Sequence, residues 1–140
     1  MKSILVAVDG SVHSDKGLVE AVALAKGLGC RLELVHVLPP VLLAPGVYAE
    51  AIAKVEAGNR EAAQQVLDAA KARARDLGIE ADTVMLSGAP AEAVADLALA
   101  ERVWGVVIGA KGHSAISRVL LGSVADRLVR VCTKPVLVVR

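Results

Sequence analysis

VWGVVIGAKGHSAISRVLLGSVA, residues 103–125, contains a strand pattern, a glycine-bearing loop and the start of a helix pattern. The apolar, β-branched run Val106–Ile108 predicts a buried strand, and Gly109 and Gly112 follow it. A helix is predicted from Ser123, a favoured N-cap residue, because apolar residues recur behind it at helical spacing. A strand, a glycine loop and a helix N-terminus form the outline of a phosphate site, where free N–H groups and the helix dipole converge.

The glycine spacing differs from two well-defined nucleotide motifs. The P-loop (Walker A) motif G-x-x-x-x-G-K-[ST] is absent, because no Lys-Ser or Lys-Thr pair follows a glycine at the required spacing. The dinucleotide-binding motif G-x-G-x-x-G does not occur in the chain either. The pattern is Gly109, two residues, Gly112, nine residues and then Gly122 followed by Ser123. On spacing alone, three unrelated turn glycines explain this pattern as well as a phosphate loop does.

Composition and charge favour an α/β protein and argue against nucleic acid as a partner. Hydrophobic residues make up 55% of the 140, yet there is one Trp, one Tyr and no Phe. Such an aliphatic core suits a parallel sheet covered by helices. Sixteen basic and fifteen acidic side chains give a net charge of +1, so neither a basic surface nor base-stacking aromatics are available.

Length and the remaining sequence features predict a single domain, residues 1–140, in the cytoplasm. No apolar run approaches the roughly 20 residues of a membrane span, and the N-terminus lacks signal-peptide features. Cys30 and Cys132 are far apart and in no metal-ligand spacing, so both are predicted to be buried or half-buried free thiols.

Strand-like and helix-like segments alternate along the chain. Strands are predicted at 3–8, 31–37, 79–86, 104–108 and 136–139. Helices are predicted from Ser11 or Ser14 to 28, over 47–77, from Pro90 to about 98 and over 123–131. The segment 47–77 is either one helix or two with a break near Gly58. This alternation favours a parallel sheet with right-handed crossovers and helices on both faces.

The first and third helices have clear end signals and apolar faces. Gly29 is a C-terminal stop for the first helix, and Pro90 lies in the first turn of the third. The faces predicted to be buried are Leu18, Val22, Ala25 and Leu28 in the first helix and Ala91, Val94, Ala95 and Ala98 in the third.

Four segments, in their order along the chain, resemble the universal stress protein family. They are ILVAVDGS at the start, LVHV in the second strand, the G-x-P at Gly88, and the closing GSVADRLVRVCTKPVLVVR. The resemblance covers nearly all of the chain, and the glycine loop is similar to the signature of the family's ATP-binding branch. It implies an open five-stranded parallel sheet, order 3-2-1-4-5, of the Rossmann-like, adenine nucleotide alpha hydrolase-like class. In that order Asp9 and Gly109 end neighbouring strands at the topological switch point.

The resemblance also implies site residues and a ligand, ATP with Mg²⁺. Residues that would cradle the phosphates are Gly109, Gly112, Gly122 and Ser123, with first-turn N–H groups of Val124 and Ala125. Residues that would line the nucleoside are Ala7, Val8, Asp9 and Val37. Lys111 either offsets phosphate charge or is a solvated loop lysine. One departure from the family pattern, Val103-Trp104-Gly105 before the fourth strand, puts the local packing there in doubt.

No catalytic or metal-binding residues are predicted. His13, His36 and His113 share no metal-ligand spacing; His36 is interpreted as a satisfied core histidine and His113 as a loop residue near the phosphates. The function implied is an ATP-binding, dimeric stress-response sensor or regulator. Two alternatives stay open. One is a slow ATP hydrolase or phosphoryl-transfer enzyme, for which Lys111 and Arg118 would supply positive charge. The other is an interaction module that works without nucleotide.

The apolar sequence of the last predicted strand indicates that the chain forms a homodimer. In the implied sheet order it lies at an edge, and an exposed apolar edge strand favours pairing with another chain. The residues expected at an isologous homodimer interface are Pro135, Val136, Leu137, Val138 and Val139. Val138→Lys is expected to weaken such a dimer.

Overall fold

The computed structural model describes residues 1–42, 44–112 and 121–140. Strands and helices alternate along this part of the chain, as the sequence predicts. They are β1 (Ser3–Ala7), α1 (Val12–Leu28), β2 (Arg31–Leu38), α2 (Ala49–Asp76), β3 (Ala81–Ser87), α3 (Pro90–Ala98), β4 (Val103–Gly109), α4 (Ser123–Val131) and β5 (Val136–Val139).

The five strands form one sheet in the order β3-β2-β1-β4-β5, and every paired neighbour is parallel. Side chains alternate across β1, so that Ile4 and Val6 pack with α1 and α2 while Leu5 packs with α3 and α4. Two aliphatic cores therefore lie on opposite faces of the sheet. The predicted sheet order and the predicted two-sided helix cover are both confirmed.

α1 is fixed at both ends by local hydrogen bonds. Ser11 is the N-cap residue, because the Ser14 N–H donates to the Ser11 Oγ over 3.1 Å. Gly29 ends the helix in the left-handed conformation with φ +66°, and its N–H donates to the Ala25 carbonyl. The prediction that Leu28 faces the core is wrong, since Leu28 is 49% exposed. Leu28 shares a helix face with Ala21 and Ala25, but it is the last residue of α1 and lies beyond Ala25, the last buried residue on that face.

α2 is one continuous helix that passes through Gly58 without a break. Of the two predicted alternatives, one continuous helix is therefore confirmed and two helices with a break near Gly58 are not. Buried α2 side chains begin at Ala63 and continue at Leu67 and Ala74, whereas none of residues 49–62 is buried. A helix of 28 residues is about 42 Å long, but a seven-residue strand spans only about 23 Å. The sheet can therefore cover only part of α2.

A β-bulge accounts for the unusual Val103-Trp104-Gly105 sequence. Ser3 pairs with Val103 but Ile4 pairs with Gly105, which leaves Trp104 as the extra residue, 38% exposed. A Cβ on Gly105 would lie 2.8 Å from the Pro135 carbonyl oxygen. Glycine is required at this position because the chain before β5 crosses close to it.

Cys30 and Cys132 are free and half-buried, which confirms the prediction for both thiols. In the described part of the chain, none of the helices combines the length and the apolar character that a bilayer span requires.

Candidate functional site

A cavity of about 580 Å³ opens at the carboxyl ends of β1, β2 and β4, where the chain crosses from one half of the sheet to the other. All eleven residues that the sequence assigns to a nucleotide site line this cavity. They are Ala7, Val8, Asp9, Val37, Gly109, Lys111, Gly112, Gly122, Ser123, Val124 and Ala125. Segments up to 118 residues apart thus meet at one site, because parallel strands place their carboxyl ends along one edge.

Asp9 follows β1 and is held in a turn by two serines. Its Oδ1 accepts a hydrogen bond from the Ser11 N–H over 2.9 Å, and its own N–H donates to the Ser14 Oγ over 3.1 Å. Its second carboxylate oxygen, Oδ2, lies 2.8 Å from the point where a Cβ on Gly112 would stand. The carboxylate is therefore fixed beside the glycine loop.

Gly109 makes room for a helix. A Cβ at Gly109 would lie 2.5 Å from the His13 carbonyl oxygen, in the first turn of α1. From the other side, a Cβ on Gly17 would come within 3.2 Å of the Gly109 nitrogen. The backbones of α1 and β4 come so close at position 109 that only glycine fits there. This packing requirement is separate from the phosphate-binding role that the sequence predicts for Gly109.

Gly122 brings the start of α4 against the end of β4. Its N–H donates to the Ala110 carbonyl over 2.6 Å, and a Cβ there would be 3.2 Å from that oxygen. Gly122, rather than Ser123, is the N-cap residue of α4, so the predicted cap is wrong by one position. The first N–H groups of α4 have no acceptor inside the helix, and they come from residues that line the cavity, Ser123, Val124 and Ala125.

The rest of the cavity wall is mainly apolar, and sequence reasoning missed most of it. The lining residues outside the predicted set are Ser14, Val35, His36, Pro39, Pro90, Val94, Ile108 and Ala110. Val35 could have been predicted from the sequence, because residues two apart in a strand share a face and Val37 had already been assigned to the site. Pro90 and Val94 lie on α3 and carry no such signal, because they have the same pattern as ordinary core residues. An apolar wall with few polar groups is typical of small-molecule sites.

His36 is hydrogen-bonded, as the sequence interpretation expects. Its Nδ1 lies 2.7 Å from the Val8 carbonyl oxygen. Because a carbonyl only accepts, Nδ1 carries a proton. The ring is only half-buried and the residue lines the cavity, so it is not a core residue.

Within residues 1–42, 44–112 and 121–140, His, Cys, Asp and Glu form no group of three or more that could hold a metal ion. His113 and Arg118, considered near the phosphates and as a source of charge, lie outside the described residues.

Comparison with known proteins assigns the family. The model of the Universal stress protein family matches residues 1–140, and the chain therefore belongs to this family. A universal stress protein of Thermus aquaticus is 35% identical over 141 residues, covering 99% of this chain and 98% of that protein.

Solved structures agree on the fold. Universal stress protein UspA from Lactobacillus plantarum matches with a TM-score of 0.87 at 21% identity, covering 99% of this chain and 97% of that one. A universal stress protein in complex with cAMP matches with a TM-score of 0.74 at 28% identity, again covering 99% and 97%. The fold is the Rossmann-like α/β fold of these proteins.

Proposed function

We propose that this chain binds an adenine nucleotide, ATP with Mg²⁺, in the 580 Å³ cavity. One observation carries the proposal: an apolar wall, a fixed carboxylate and the start of α4 line the same cavity. An apolar wall suits a planar base, a carboxylate accepts from ribose hydroxyls, and a helix N-terminus favours phosphate.

Each part of the ligand has matching groups in the cavity. The base would lie against Val35, Val37 and Val94, with the ribose near Asp9. The phosphates would accept hydrogen bonds from the first N–H groups of α4, and the Lys111 ammonium would offset part of their charge. In this arrangement the chain binds and orients the nucleotide.

Mg²⁺ would be held mainly by phosphate oxygens. Among the described residues no cluster of three or more His, Cys, Asp or Glu side chains offers a metal site of its own. Mg²⁺ is often bound through one or two carboxylates together with substrate phosphates, and Asp9 is a carboxylate that lines this cavity.

The match to a universal stress protein in complex with cAMP supports an adenine ligand. That protein is 28% identical to this chain and shares its fold with a TM-score of 0.74. We extend the ligand class, an adenine nucleotide, to this chain, and the apolar wall and α4 N-terminus support it independently.

We further propose that the protein acts as a homodimeric stress-response sensor or regulator joined through β5. β5 is an outermost strand of the sheet, so one of its edges has no strand partner among the residues that the structure describes. Leu137 at its centre is 42% exposed. Unpaired apolar edges favour association with a second copy.

Calorimetric titration of the purified chain with Mg²⁺-ATP, AMP, cAMP and GTP tests the ligand class. We expect saturable binding of the adenine nucleotides and weaker binding of GTP. Folded protein that binds none of the adenine nucleotides would contradict the proposal and favour an interaction module that works without nucleotide. Phosphate release from Mg²⁺-ATP in the same samples tests the hydrolase alternative, and we expect no turnover above the buffer blank.

A further inference from the structure

Three hydrogen bonds join Asp9, Ser11 and Ser14 into a closed ring between β1 and α1. The Ser11 N–H donates to the Asp9 Oδ1 over 2.9 Å, and the Ser14 N–H donates to the Ser11 Oγ over 3.1 Å. The Asp9 N–H completes the ring by donating to the Ser14 Oγ, also over 3.1 Å. This hydrogen-bonded ring fixes the Ser14 hydroxyl beside Asp9.

The Ser14 hydroxyl can make one hydrogen bond more than the structure gives it. Its oxygen accepts from the Asp9 N–H, but among the described residues its own proton has no acceptor. Ser14 is only 6% exposed, so bulk water has little access to this hydroxyl. Ser14 also lines the cavity of about 580 Å³. Because a buried donor without an acceptor costs free energy, an acceptor atom of a ligand in this cavity would be stabilised there.

We propose that Ser14 contacts the nucleotide directly and donates this hydrogen bond to a hydroxyl oxygen of the ribose. This contact rests on the proposed function, in which the ribose lies near Asp9. A carboxylate only accepts, and the free proton of Ser14 can only be donated, whereas a sugar hydroxyl does both. One ribose hydroxyl can therefore donate to Asp9 and accept from Ser14. A phosphate oxygen matches this pair less well, because the carboxylate would repel its negative charge.

The surroundings of Ser14 favour a contact with the sugar over a contact with the base. A Cβ on Gly109 would lie 3.3 Å from the Ser14 nitrogen, and a Cβ on Gly112 would lie 2.8 Å from the Asp9 Oδ2. Ser14 and Asp9 thus adjoin the segment that contains Lys111, which is proposed to offset phosphate charge. The ribose is the part of a nucleoside that is bonded to the phosphates, so it is the part that would lie here.

The test is a calorimetric titration of ATP, 2′-deoxy-ATP and 3′-deoxy-ATP, each with Mg²⁺, into the wild type and three serine variants. The variants are Ser14→Ala, Ser11→Ala and Ser3→Ala. Ser3 is a matched control because it is also a buried serine, 2% exposed, but it begins β1 and is not among the described residues that line the cavity. Ser11→Ala opens the hydrogen-bonded ring but keeps the Ser14 hydroxyl, so it separates loss of the ring from loss of the donor.

We expect the wild type to bind ATP at least about tenfold more tightly than one of the two deoxy analogues, because that analogue leaves a buried donor without an acceptor. Ser14→Ala is expected to bind ATP at least about fivefold more weakly and to show a preference for ribose at least about threefold smaller. Ser3→Ala and Ser11→Ala are expected to keep the preference, since both retain the Ser14 hydroxyl. Circular dichroism checks that each variant is folded. If Ser14→Ala is not folded, Ser14→Cys replaces it with the same expected loss, because a thiol is only a weak donor.

Three results would overturn the ribose contact while leaving the proposed function in place. The first is a wild type that binds ATP and both deoxy analogues equally well. The second is an unchanged preference for ribose in the folded Ser14 variant. The third is an equal loss of preference in Ser11→Ala, because the hydrogen-bonded ring alone would then account for it. A wild type that binds no adenine nucleotide would overturn the proposed function together with the contact.

Discussion

Gly109, Gly112 and Gly122 belong to one sequence pattern but have different neighbours. The space beside Gly109 is taken by main-chain atoms of His13, and that beside Gly112 by the tip of the Asp9 carboxylate. Gly122 faces main-chain atoms of Ala110 at 3.2 Å. The Asp9 side chain can shift only by giving up its hydrogen bond from the Ser11 N–H, whereas the backbone at the start of α1 cannot shift without moving the helix. The three positions therefore differ in how well they tolerate a side chain.

Gly109→Ala is expected to lower the free energy of unfolding by about 1–3 kcal/mol, because the added methyl meets the backbone of α1 at 2.5 Å and 2.8 Å. Among the described residues, a methyl group at Gly112 would come within 4 Å of the Asp9 carboxylate alone, at 2.8 Å, so we expect a smaller loss of stability for Gly112→Ala. Urea denaturation of both variants measures the difference. Equal stability of Gly109→Ala and the wild type would contradict the close approach of α1 to β4.

Glu33 is the buried acid of β2, with its side chain 8% exposed. The Arg102 guanidinium donates to both carboxylate oxygens, over 2.9 and 3.0 Å, and lowers the pKa of Glu33 from its ordinary value of 4.5. A hydrogen bond from Ser3 lowers this pKa further. Because the folded protein favours the ionised form, the pair stabilises the fold above pH 4.5 and loses this effect as pH falls through the lowered pKa.

Glu33→Gln is therefore expected to be less stable than the wild type by about 1–3 kcal/mol at pH 7, with the difference shrinking below pH 4.5. Asp82→Asn on the neighbouring strand is the control, because its pair with Arg31 is exposed and contributes less than about 1 kcal/mol. Chemical denaturation across pH 3–7 measures both. A difference that does not change with pH would show that Glu33 is not stabilised as a carboxylate.

Among the elements, the ends of α4 and β5 agree with the sequence prediction, since Ser123–Val131 and Val136–Val139 are bounded by glycine, serine and proline. The continuity of α2 could not be predicted, because one glycine among many alanines costs only about 1 kcal/mol. The bulge at Trp104 could not be predicted either. It depends on how β4 aligns with β1 and passes Pro135, which is a tertiary property.

Val138 and Leu137 of β5 are both predicted from the sequence to lie at the dimer interface, but the structure gives them different surroundings. Val138 packs with the core on the α3 and α4 side, whereas Leu137 is 42% exposed. Val138→Lys, the variant first considered, would place a charge against this core and is expected to destabilise the monomer as well as the proposed dimer.

Leu137→Lys is expected to convert the proposed dimer to monomer with little change in monomer stability, because a charge at an exposed edge strand opposes edge pairing. Light scattering measures the mass, and circular dichroism checks the fold. Tyr48→Lys is a control, since this exposed apolar residue lies next to α2 and far from β5 in sequence. A dimer that persists in Leu137→Lys would contradict an interface centred on β5.

At the scale of the whole molecule, the eleven predicted residues line one cavity because the strand order brings distant segments together. Asp9 and Gly109 are one hundred residues apart, yet Asp9 follows β1 and Gly109 ends β4, and the carboxyl ends of these paired strands share an edge. The α3 part of the wall was not predictable, since Pro90 and Val94 have the spacing of ordinary core residues.

Calorimetric titration of Mg²⁺-ATP into the wild type, Gly122→Val and Gly58→Val tests the central claim most directly. A valine at 122 would crowd the start of α4 against Ala110 and Lys111, whereas a Cβ at Gly58 would have no heavy atom of the described chain within 4 Å. The account predicts that the wild type and Gly58→Val bind ATP and that Gly122→Val, still folded by circular dichroism, binds at least about tenfold more weakly. Equal ATP binding by folded Gly122→Val and Gly58→Val would contradict it, because the start of α4 would then not hold the phosphates.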